Sequence, residues 1–169
     1  MTERLVMRGW RAEDFERWAR ICSDAEVMRG LGVDGAMSPA AAWRDMAMLA
    51  GHWVLRGFGH WVLEERESGR VVGRAGLNHP PDYPGLEVGW LLAREDWGRG
   101  FATEAARAAA SWAREELGAR RLISLILPEN RGSIAVAERL GARLEGHTTV
   151  RGMDARVYGV DLPLPAASP

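Results

Sequence analysis

The chain has 169 residues, of which 47% are hydrophobic and 27% are charged, so it is long enough for one soluble domain with a sizeable core. Its formal net charge of −1 gives no support for a nucleic-acid binder, because such proteins usually carry a basic stripe. The single cysteine excludes an internal disulfide framework. The N-terminus lacks the apolar core of a signal peptide and no apolar run approaches membrane-spanning length, so we expect a cytoplasmic protein.

The first third of the chain predicts one strand and two helices. Apolar and polar residues alternate over residues 4–10, which indicates a strand, and an amphipathic pattern over 12–22 indicates a helix. The glycine-punctuated segment 23–36 predicts no single element. The Ser-Pro pair at 38–39 is typical of a helix start, and Gly57 of its end. The predicted buried stripe of this second helix comprises Trp43, Met46, Ala47, Ala50, Trp53 and Val54.

Three further strands are predicted between residues 59 and 92. Residues 59–65 and 70–78 are rich in β-forming side chains, and the linker between them contains Ser-Gly, which is typical of a hairpin. Three prolines interrupt residues 79–85, so no regular structure is expected there. The apolar run at 88–92 is short enough for a buried strand.

The C-terminal third predicts a strand, a helix and a pair of strands. The apolar run 122–127 indicates a buried strand, and Asn130 caps a helix that ends at Gly141. Residues 144–151 and 155–160 indicate the last two strands. The resulting order is β-α-α-β-β-β-α-β-α-β-β, in which an antiparallel front half feeds a β-α-β centre. We therefore expect an α/β domain with a mixed sheet.

The centre of the chain, from Glu87 to Gly118, combines a strand, a glycine-containing turn and a helix. The first amides of a helix have no intrahelical partner and the helix dipole is positive there, so such a turn can hold an anion. Gly98 and Gly100 would let the backbone approach a phosphate closely, and Arg99 would add a fixed cation. The sequence therefore predicts a phosphate or pyrophosphate cradle. The helix face expected to be buried comprises Ala102, Ala105, Ala106, Ala109, Trp112, Ala113 and Leu117.

Four interpretations of this turn compete. A P-loop is excluded, because it needs a lysine after its last glycine and the chain contains no lysine. A dinucleotide fingerprint fits poorly, because Thr103 stands where G-x-G-x-x-G requires its third glycine. In a coenzyme A cradle, successive amides from Gly98 to Thr103 would grip the pyrophosphate. An ordinary glycine-rich turn that binds nothing stays open.

Two segments carry a resemblance to a known family. Residues 97–105, W-G-R-G-F-A-T-E-A, resemble the Gln/Arg-x-x-Gly-x-Gly/Ala motif of the GNAT N-acetyltransferase superfamily, although Glu95 stands at the leading Gln/Arg position. Residues 130–142 resemble the N-x-x-S-x-x-V-x-E-K-x-G-F element of its RimJ/RimL-like branch, the ribosomal-protein N-terminal acetyltransferases. In that element Arg139 replaces lysine and Ala142 replaces phenylalanine.

The resemblance covers nearly the whole chain and implies a single-domain GNAT acyl-CoA N-acyltransferase fold. We expect this domain to span residues 1–162, and residues 163–169 to form a loose tail. No internal repeat or domain boundary interrupts it. The expected protein is a monomer or a homodimer, with no nucleic-acid or membrane partner.

The resemblance also implies that acetyl-CoA binds as a co-substrate. Its pantetheine arm would lie between the strands at 88–92 and 122–127, with a backbone N–H near Leu91 as the donor to the oxyanion. The residues expected to bind the coenzyme are Trp90, Leu91, Leu92, Trp97, Gly98, Arg99, Gly100, Phe101, Ala102, Thr103, Asn130 and Ser133.

Transfer of an acetyl group to an amine needs a base for the ammonium proton and an acid for the leaving thiolate. Glu87 is the first candidate base, because it opens an apolar strand beside the expected acetyl site; the alternative is a solvated carboxylate that anchors an arginine. His79 is a second candidate, and water alone could carry the proton. The tyrosine acid of many GNAT enzymes corresponds to Ala137 here, so the resemblance points to Ser133, whose alternative role is helix capping.

The remaining reactive residues fit structural roles. Cys22 lies on an apolar helix face and Tyr158 in a late strand, where it packs or lines the acceptor pocket. The four histidines show no metal-ligand spacing, so no metal is expected. We therefore predict an acetyl-CoA-dependent N-acetyltransferase that acts by direct transfer in a ternary complex. The acceptor would be a protein N-terminal amine, or alternatively a small amine or antibiotic. A non-catalytic acyl-CoA sensor module and a nucleotide-dependent enzyme are the rival interpretations.

Overall fold

A mixed sheet and five helices make up the structure. The computed structural model describes residues 2–81, 83–150 and 152–166. The strands are β1 (Leu5–Arg8), β2 (His60–Glu65), β3 (Val71–Asn78), β4 (Glu87–Leu92), β5 (Arg121–Ile126), β6 (Arg143–Val150) and β7 (Met153–Asp161). The helices are α1 (Phe15–Cys22), α2 (Ala25–Arg29), α3 (Pro39–Arg56), α4 (Phe101–Leu117) and α5 (Arg131–Arg139). Asp82 of the predicted loop and Arg151 of the predicted strand 144–151 lie outside the described residues.

The strand order across the sheet is β1-β2-β3-β4-β5-β7-β6, and neighbouring strands are antiparallel except for β4 and β5. The predicted mixed α/β fold is confirmed. One helix, α2, was not expected and lies in the segment 23–36, where the Asp24 carboxylate accepts hydrogen bonds from the amides of Glu26 and Val27. The first strand ends at Arg8, earlier than the sequence indicates, and beyond it the Trp10 indole donates to the carbonyl of His60.

Helices cover both faces of the sheet. Trp18 of α1 and Leu49 of α3 pack on one face, together with Leu91 of β4. The alanines of α4 pack on the other face, together with Val88 of β4. Strand β4 contributes side chains to the core on both faces of the sheet, because successive side chains of a strand point to opposite faces.

Helix α4 approaches the sheet closely because its buried face is made of alanine. Ala105, Ala106, Ala109, Ala110 and Ala113 are almost fully buried. Small side chains let a helix backbone come near its neighbours, so β4 and the turn before α4 are held in a fixed relation. The predicted face is confirmed except at its end, where Leu117 is 39% exposed in the last turn, next to the left-handed C-cap Gly118.

The ends of α3 are as predicted, whereas its buried stripe is confirmed only at Met46. The Ser38 hydroxyl accepts from the amide of Ala41 at 3.2 Å, and Gly57 ends the helix with φ +74°. The buried face comprises Ala42, Met46 and Leu49. Trp43 and Val54, expected inside, are 50% and 86% exposed. A helix turns about 100° per residue, so a stripe centred one position too late points sideways.

The start of the predicted tail packs against the domain. The amide of Leu162 donates to the carbonyl of Arg120 at 2.8 Å, and Leu162 and Leu164 contact the core cluster beneath α4. Arg107 donates to the carbonyl of Pro165 at 2.9 Å. Residues 167–169 of the tail lie outside the described residues. Within the described ranges, no helix combines the length and apolar character needed to cross a membrane.

Candidate active site

A gap opens in the middle of the sheet, between β4 and β5. The two parallel strands share one paired position, Glu87 with Ile123, and the Ile123 amide donates to the carbonyl of Leu86 at 2.9 Å. The buried Ser124 hydroxyl donates to the Val88 carbonyl at 2.7 Å. Beyond these contacts the described ladder stops, and the strands separate towards their C-terminal ends. Backbone groups on the facing edges can therefore bind an extended ligand.

Two adjoining cavities lie at this gap. The first has a volume of about 120 Å³, and the residues that line it include Arg74, Glu87, Trp90, Ser124, Asn130 and Ser133. The second has a volume of about 170 Å³ and lies beneath α3, against Met48, His52 and Pro80. Both cavities touch Met48, Leu49, His60, Asn78 and Tyr83, so they lie side by side between the gap and α3.

The glycine turn lies at the N-terminus of α4, beside the C-terminal end of β4. Gly98 and Gly100 adopt φ +74° and +82°, a left-handed conformation that favours glycine. A Cβ at Gly98 would meet no atom within 4 Å, so the requirement for glycine there is conformational and the surface is open. The carbonyl of Gly100 accepts from the amide of Glu104, which leaves the first-turn amides of α4 without intrahelical partners. This is the geometry expected of an anion cradle.

The predicted cation of the cradle, Arg99, is engaged by carboxylates. Asp96 is fully buried and accepts from both terminal nitrogens of Arg70, at 2.8 and 2.6 Å, and from Arg99 at 2.8 Å. The other terminal nitrogen of Arg99 donates to Glu65, and the guanidinium stacks on the ring of Phe101 at 4.4 Å. Hydrogen bonds from Ser68 and Arg99 lower the pKa of Glu65. Arg99 therefore anchors the turn, which leaves the backbone amides as the groups able to hold an anion.

The other predicted coenzyme contacts fall into two groups. The Trp97 indole donates to the Leu92 carbonyl at 3.0 Å and remains 45% exposed beside the turn. Ala102 and Thr103 are half-buried in the first turn of α4. The side chains of Leu91, Leu92 and Phe101 are buried in the core, so only their backbone groups can face a ligand.

Trp90, Ser133 and Asn130 meet across the gap. The Trp90 indole donates to the Ser133 hydroxyl at 3.2 Å, and the Asn130 side chain accepts from the Ser133 amide at 3.0 Å. Asn130 also donates to the carbonyl of Gly30 at 3.1 Å, which ties α5 to the end of α2. Asn130 is the helix cap; Ser133 is not. A hydroxyl that accepts from an indole keeps its own proton available to donate.

Glu87 and His79, the two candidate bases, occupy different surroundings. Glu87 begins β4, is half-buried and lines the first cavity, where Asn78 donates to its carboxylate at 3.4 Å. His79 is half-buried in the loop after β3, and its amide donates to His52 at 3.3 Å. The described linings of the two cavities do not include His79. The structure thus brings Glu87, and not His79, to the same cavity as Ser133.

Sequence reasoning missed a buried polar pair in the same cavity. Arg74 of β3 and His60 of β2 are 8% and 3% exposed, and a terminal nitrogen of Arg74 donates to His60 Nδ1 at 2.8 Å. The His60 carbonyl accepts from the indoles of Trp10 and Trp53, at 3.0 and 3.1 Å. Burial, followed by the charge of Arg74, lowers the pKa of His60 well below its ordinary value. An arginine inside the otherwise apolar run V-V-G-R-A-G-L was the available signal.

Cys22 and Tyr158, two residues outside the site, lie in surroundings that the sequence predicts. Cys22 is fully buried in the core, and burial raises the pKa of its thiol to about 12. Tyr158 is buried in the core cluster beneath α4 and α5 and lines neither cavity, which favours packing over pocket lining. Ala137 is also buried there. The described residues contain no group of three or more His, Cys, Asp or Glu side chains placed to share a metal ion.

Comparisons with known proteins identify the family. A profile described as an acetyltransferase (GNAT) domain matches residues 4–143, so the chain belongs to the GNAT acetyltransferase family. The uncharacterized N-acetyltransferase p20 of Bacillus licheniformis is 30% identical over 147 residues, which are 86% of this chain and 82% of that protein. The match to the uncharacterized protein YkkB of Bacillus subtilis is 35% identical over 83 residues, and there the chain spans about half of the relative, 48%. The predicted class, an acyltransferase, is confirmed.

Solved acetyltransferase structures share the fold of this chain. An acetyltransferase from Agrobacterium tumefaciens C58 is 34% identical, with a TM-score of 0.83 over 95% of this chain and 92% of that one. A Vibrio cholerae protein described only provisionally as a ribosomal-protein-serine acetyltransferase is 23% identical, with a TM-score of 0.80 over 95% of each chain. A spermidine N-acetyltransferase of Vibrio cholerae, in complex with CoA and spermine, is 17% identical, with a TM-score of 0.74 over 94% of this chain and 95% of that one. The last two likenesses are in fold alone.

Proposed function

We propose that the chain is an acetyl-CoA-dependent N-acetyltransferase that transfers the acetyl group directly to a primary amine in a ternary complex. The observation that carries the proposal is the gap between β4 and β5, which opens beside the left-handed glycine turn of α4. The gap has free strand edges for an extended arm, and the turn has free amides for a pyrophosphate. The similarly folded spermidine N-acetyltransferase in complex with CoA supports the choice of coenzyme.

In this proposal the residues from Gly98 to Thr103 hold the pyrophosphate through their amides. Arg99 positions that turn through Asp96 and Glu65. Trp97, exposed beside the turn, is placed to cover the nucleotide end of the coenzyme. The facing backbone edges of β4 and β5 bind the pantetheine arm, and the N–H near Leu91 stabilises the oxyanion that forms during transfer.

Glu87 is the proposed general base and Ser133 the proposed general acid. The amine nitrogen bonds to the thioester carbonyl carbon while its proton passes to the Glu87 carboxylate, directly or through one water molecule. The carbon–sulfur bond then breaks, and the Ser133 hydroxyl gives its proton to the thiolate sulfur while it takes one from a water molecule, so that the serine is restored. Glu87 returns its proton to the solvent after the product leaves. The indole of Trp90 fixes the direction of that hydroxyl, because it occupies one of the oxygen's lone pairs.

The acceptor that the described cavities favour is a small primary amine. The two adjoining cavities, about 120 and 170 Å³, are bounded by Leu31, Met48, Leu49 and Tyr83, which leave little room for an extended peptide. A protein N-terminal amine is the second candidate, supported by the shared fold with the provisional ribosomal-protein-serine acetyltransferase. Membership of the RimJ/RimL-like branch stays a prediction.

Release of free CoA from acetyl-CoA tests the proposal, with a panel of small amines and N-terminal peptides as acceptors. We expect acceptor-dependent turnover that E87Q lowers strongly, together with a product whose mass is increased by one acetyl group. Binding of acetyl-CoA without turnover of any acceptor would instead favour a non-catalytic sensor module.

A further inference from the structure

We infer that Arg74 and His60 bind a carboxylate of the acceptor, so that the preferred acceptors are small primary amines that also carry a carboxylate. The inference rests on the proposed function, because it names the substrate class of the same site. It starts from a charged side chain that the domain buries and leaves largely unpartnered.

Arg74 is a buried cation with spare hydrogen-bonding capacity. A guanidinium has five N–H donors, and in the described residues only one terminal nitrogen of Arg74 donates, to the ring of His60. The Nε of Arg74 is buried and has no hydrogen-bond partner. No carboxylate of the described residues lies within ion-pair distance of it, although the chain forms many arginine–carboxylate pairs elsewhere.

None of the described residues forms a direct ion pair with this charge. The imidazole of His60 is neutral, because burial and the adjacent guanidinium hold its pKa far below the ordinary value. The Trp18 ring lies 5.8 Å from the guanidinium carbon and offers a cation–π contact but no hydrogen-bond acceptor. Asp45 of α3 acts electrostatically on the same thiol, Cys22, as Arg74, yet it forms no ion pair with Arg74. A buried charge without a directly paired counter-ion is unfavourable, so an anion from a ligand would supply the ion pair that Arg74 lacks.

The location of Arg74 connects it to the proposed chemistry. Arg74, Gly76 and Asn78 point to one face of β3 and pair across to Leu91, Gly89 and Glu87 of β4. A Cβ at Gly89 would lie 3.3 Å from His60 Cε1, so the His60 ring sits against the Gly76–Gly89 pair. Arg74 reaches this ring with its guanidinium. The cation is therefore on the same face as Glu87 and lines the same cavity.

The spacing between the two groups sets the size of the acceptor. The His60 ring, which Arg74 contacts, lies against Gly89, and Gly89 is two residues from Glu87 along β4, or about 6–7 Å. A molecule with its amine at Glu87 and its carboxylate at Arg74 spans a few bonds. Short amino acids such as glycine, β-alanine and 4-aminobutyrate have this size, whereas polyamines have no group that would satisfy Arg74.

The binding test uses thermal unfolding in saturating CoA, with each of these three amino acids and its carboxamide. The amino acids should raise the midpoint of the wild type, at least one of them clearly, and the amides should not. R74Q should lose this difference, and R74K should keep part of it. R44Q is the matched control, because Arg44 is exposed on α3 and forms no ion pair in the described part of the chain; it should behave as the wild type does.

The kinetic test compares kcat/KM for each amino acid and its carboxamide. Both values are calculated from the concentration of the unprotonated amine at the assay pH. We expect the wild type to prefer the best acid by at least tenfold, and R74Q to bring that ratio close to one while still acetylating the neutral amides. If Arg74 merely stabilises the fold, R74Q unfolds at a lower temperature with its acid-to-amide ratio unchanged, and the inference is overturned. If the wild type has the same kcat/KM for the amino acids and their carboxamides, the inference is overturned without any variant.

The experiments distinguish a failure of the proposed reaction from a failure of the proposed carboxylate site. If CoA binds but no amine is acetylated, the proposed reaction is wrong, and the Arg74-dependent shift with carboxylates still decides whether the anion site exists. If peptides with neutral side chains are acetylated far better than the amino acids, the reaction stands and the carboxylate site is wrong.

Discussion

The buried carboxylate of Asp96 controls the glycine turn without belonging to it, and D96N tests this. Asp96 accepts three hydrogen bonds, two from Arg70 and one from Arg99. A hydrogen bond to a charged group contributes about 1.5–3 kcal/mol. The Arg70 and Arg99 side chains are 35% and 41% exposed, so water replaces part of what is lost and the sum must be reduced. We expect D96N to lower the free energy of unfolding by about 2–3 kcal/mol.

For a chain of this size, that loss lowers the unfolding midpoint by roughly 4–12 °C. Release of Arg99 should also loosen the turn, and we expect the CoA affinity of the folded variant to fall roughly tenfold, or about 1.4 kcal/mol. Denaturant unfolding measures the first effect and titration calorimetry with CoA the second. The matched control is E95Q, one residue away, because Glu95 is 57% exposed and its ion pairs with Arg17 and, at 3.5 Å, with Arg70 are each worth at most about 1 kcal/mol. If D96N matches E95Q in stability and CoA affinity, the network does not position the turn.

Three further predictions concern the chemistry and the buried histidine. E87Q should lower kcat roughly 10²–10⁴-fold, the usual contribution of a general base, and leave CoA affinity unchanged; retention of near wild-type kcat would assign the proton to water. S133A should lower kcat without changing the acceptor's KM, whereas an unchanged kcat with weaker CoA binding would make Ser133 a binding residue only. The pKa of His60 is lowered in the folded state, so below about pH 6.5 the unfolded chain binds a proton that the folded chain does not. Stability should therefore fall as the pH drops below about 6.5, and H60Q should lack that part of the pH dependence in denaturant unfolding at pH 4.5–6.5.

The features that the sequence predicted correctly depend on residues that are neighbours in the chain. The α3 caps at Ser38 and Gly57 depend on residues within one turn of the helix end, and both lie where expected. The turn at Gly98 and Gly100 was found for the same reason, since a strand, two glycines and an alanine-rich helix follow one another directly. Glu87 was predicted from its place at the start of an apolar strand and Ser133 from a motif position, and the fold brings them to one cavity.

The missed features depend on contacts between distant residues. The sequence predicts Arg99 as a cation available to a ligand. The fold pairs it with Glu65, which is 34 positions away in sequence. His60 and Arg74 become a pair only through the β2–β3 register, in which His60 faces Gly76. The exposed Trp43 shows the same limit, because helical periodicity fixes the spacing of a stripe and not the direction in which the helix docks.

Binding of coenzyme A at the glycine turn is the central claim, and thermal unfolding with acetyl-CoA, CoA, NAD and ATP in parallel tests it most directly. A ligand present at one hundred times its dissociation constant stabilises the folded chain by about 2.7 kcal/mol. For this chain length the midpoint should rise by roughly 5–10 °C. We predict that rise with acetyl-CoA and CoA and none with the other two ligands. A rise with NAD or ATP alone would contradict the assignment of the turn, and the proposed roles of Glu87 and Ser133 would fall with it.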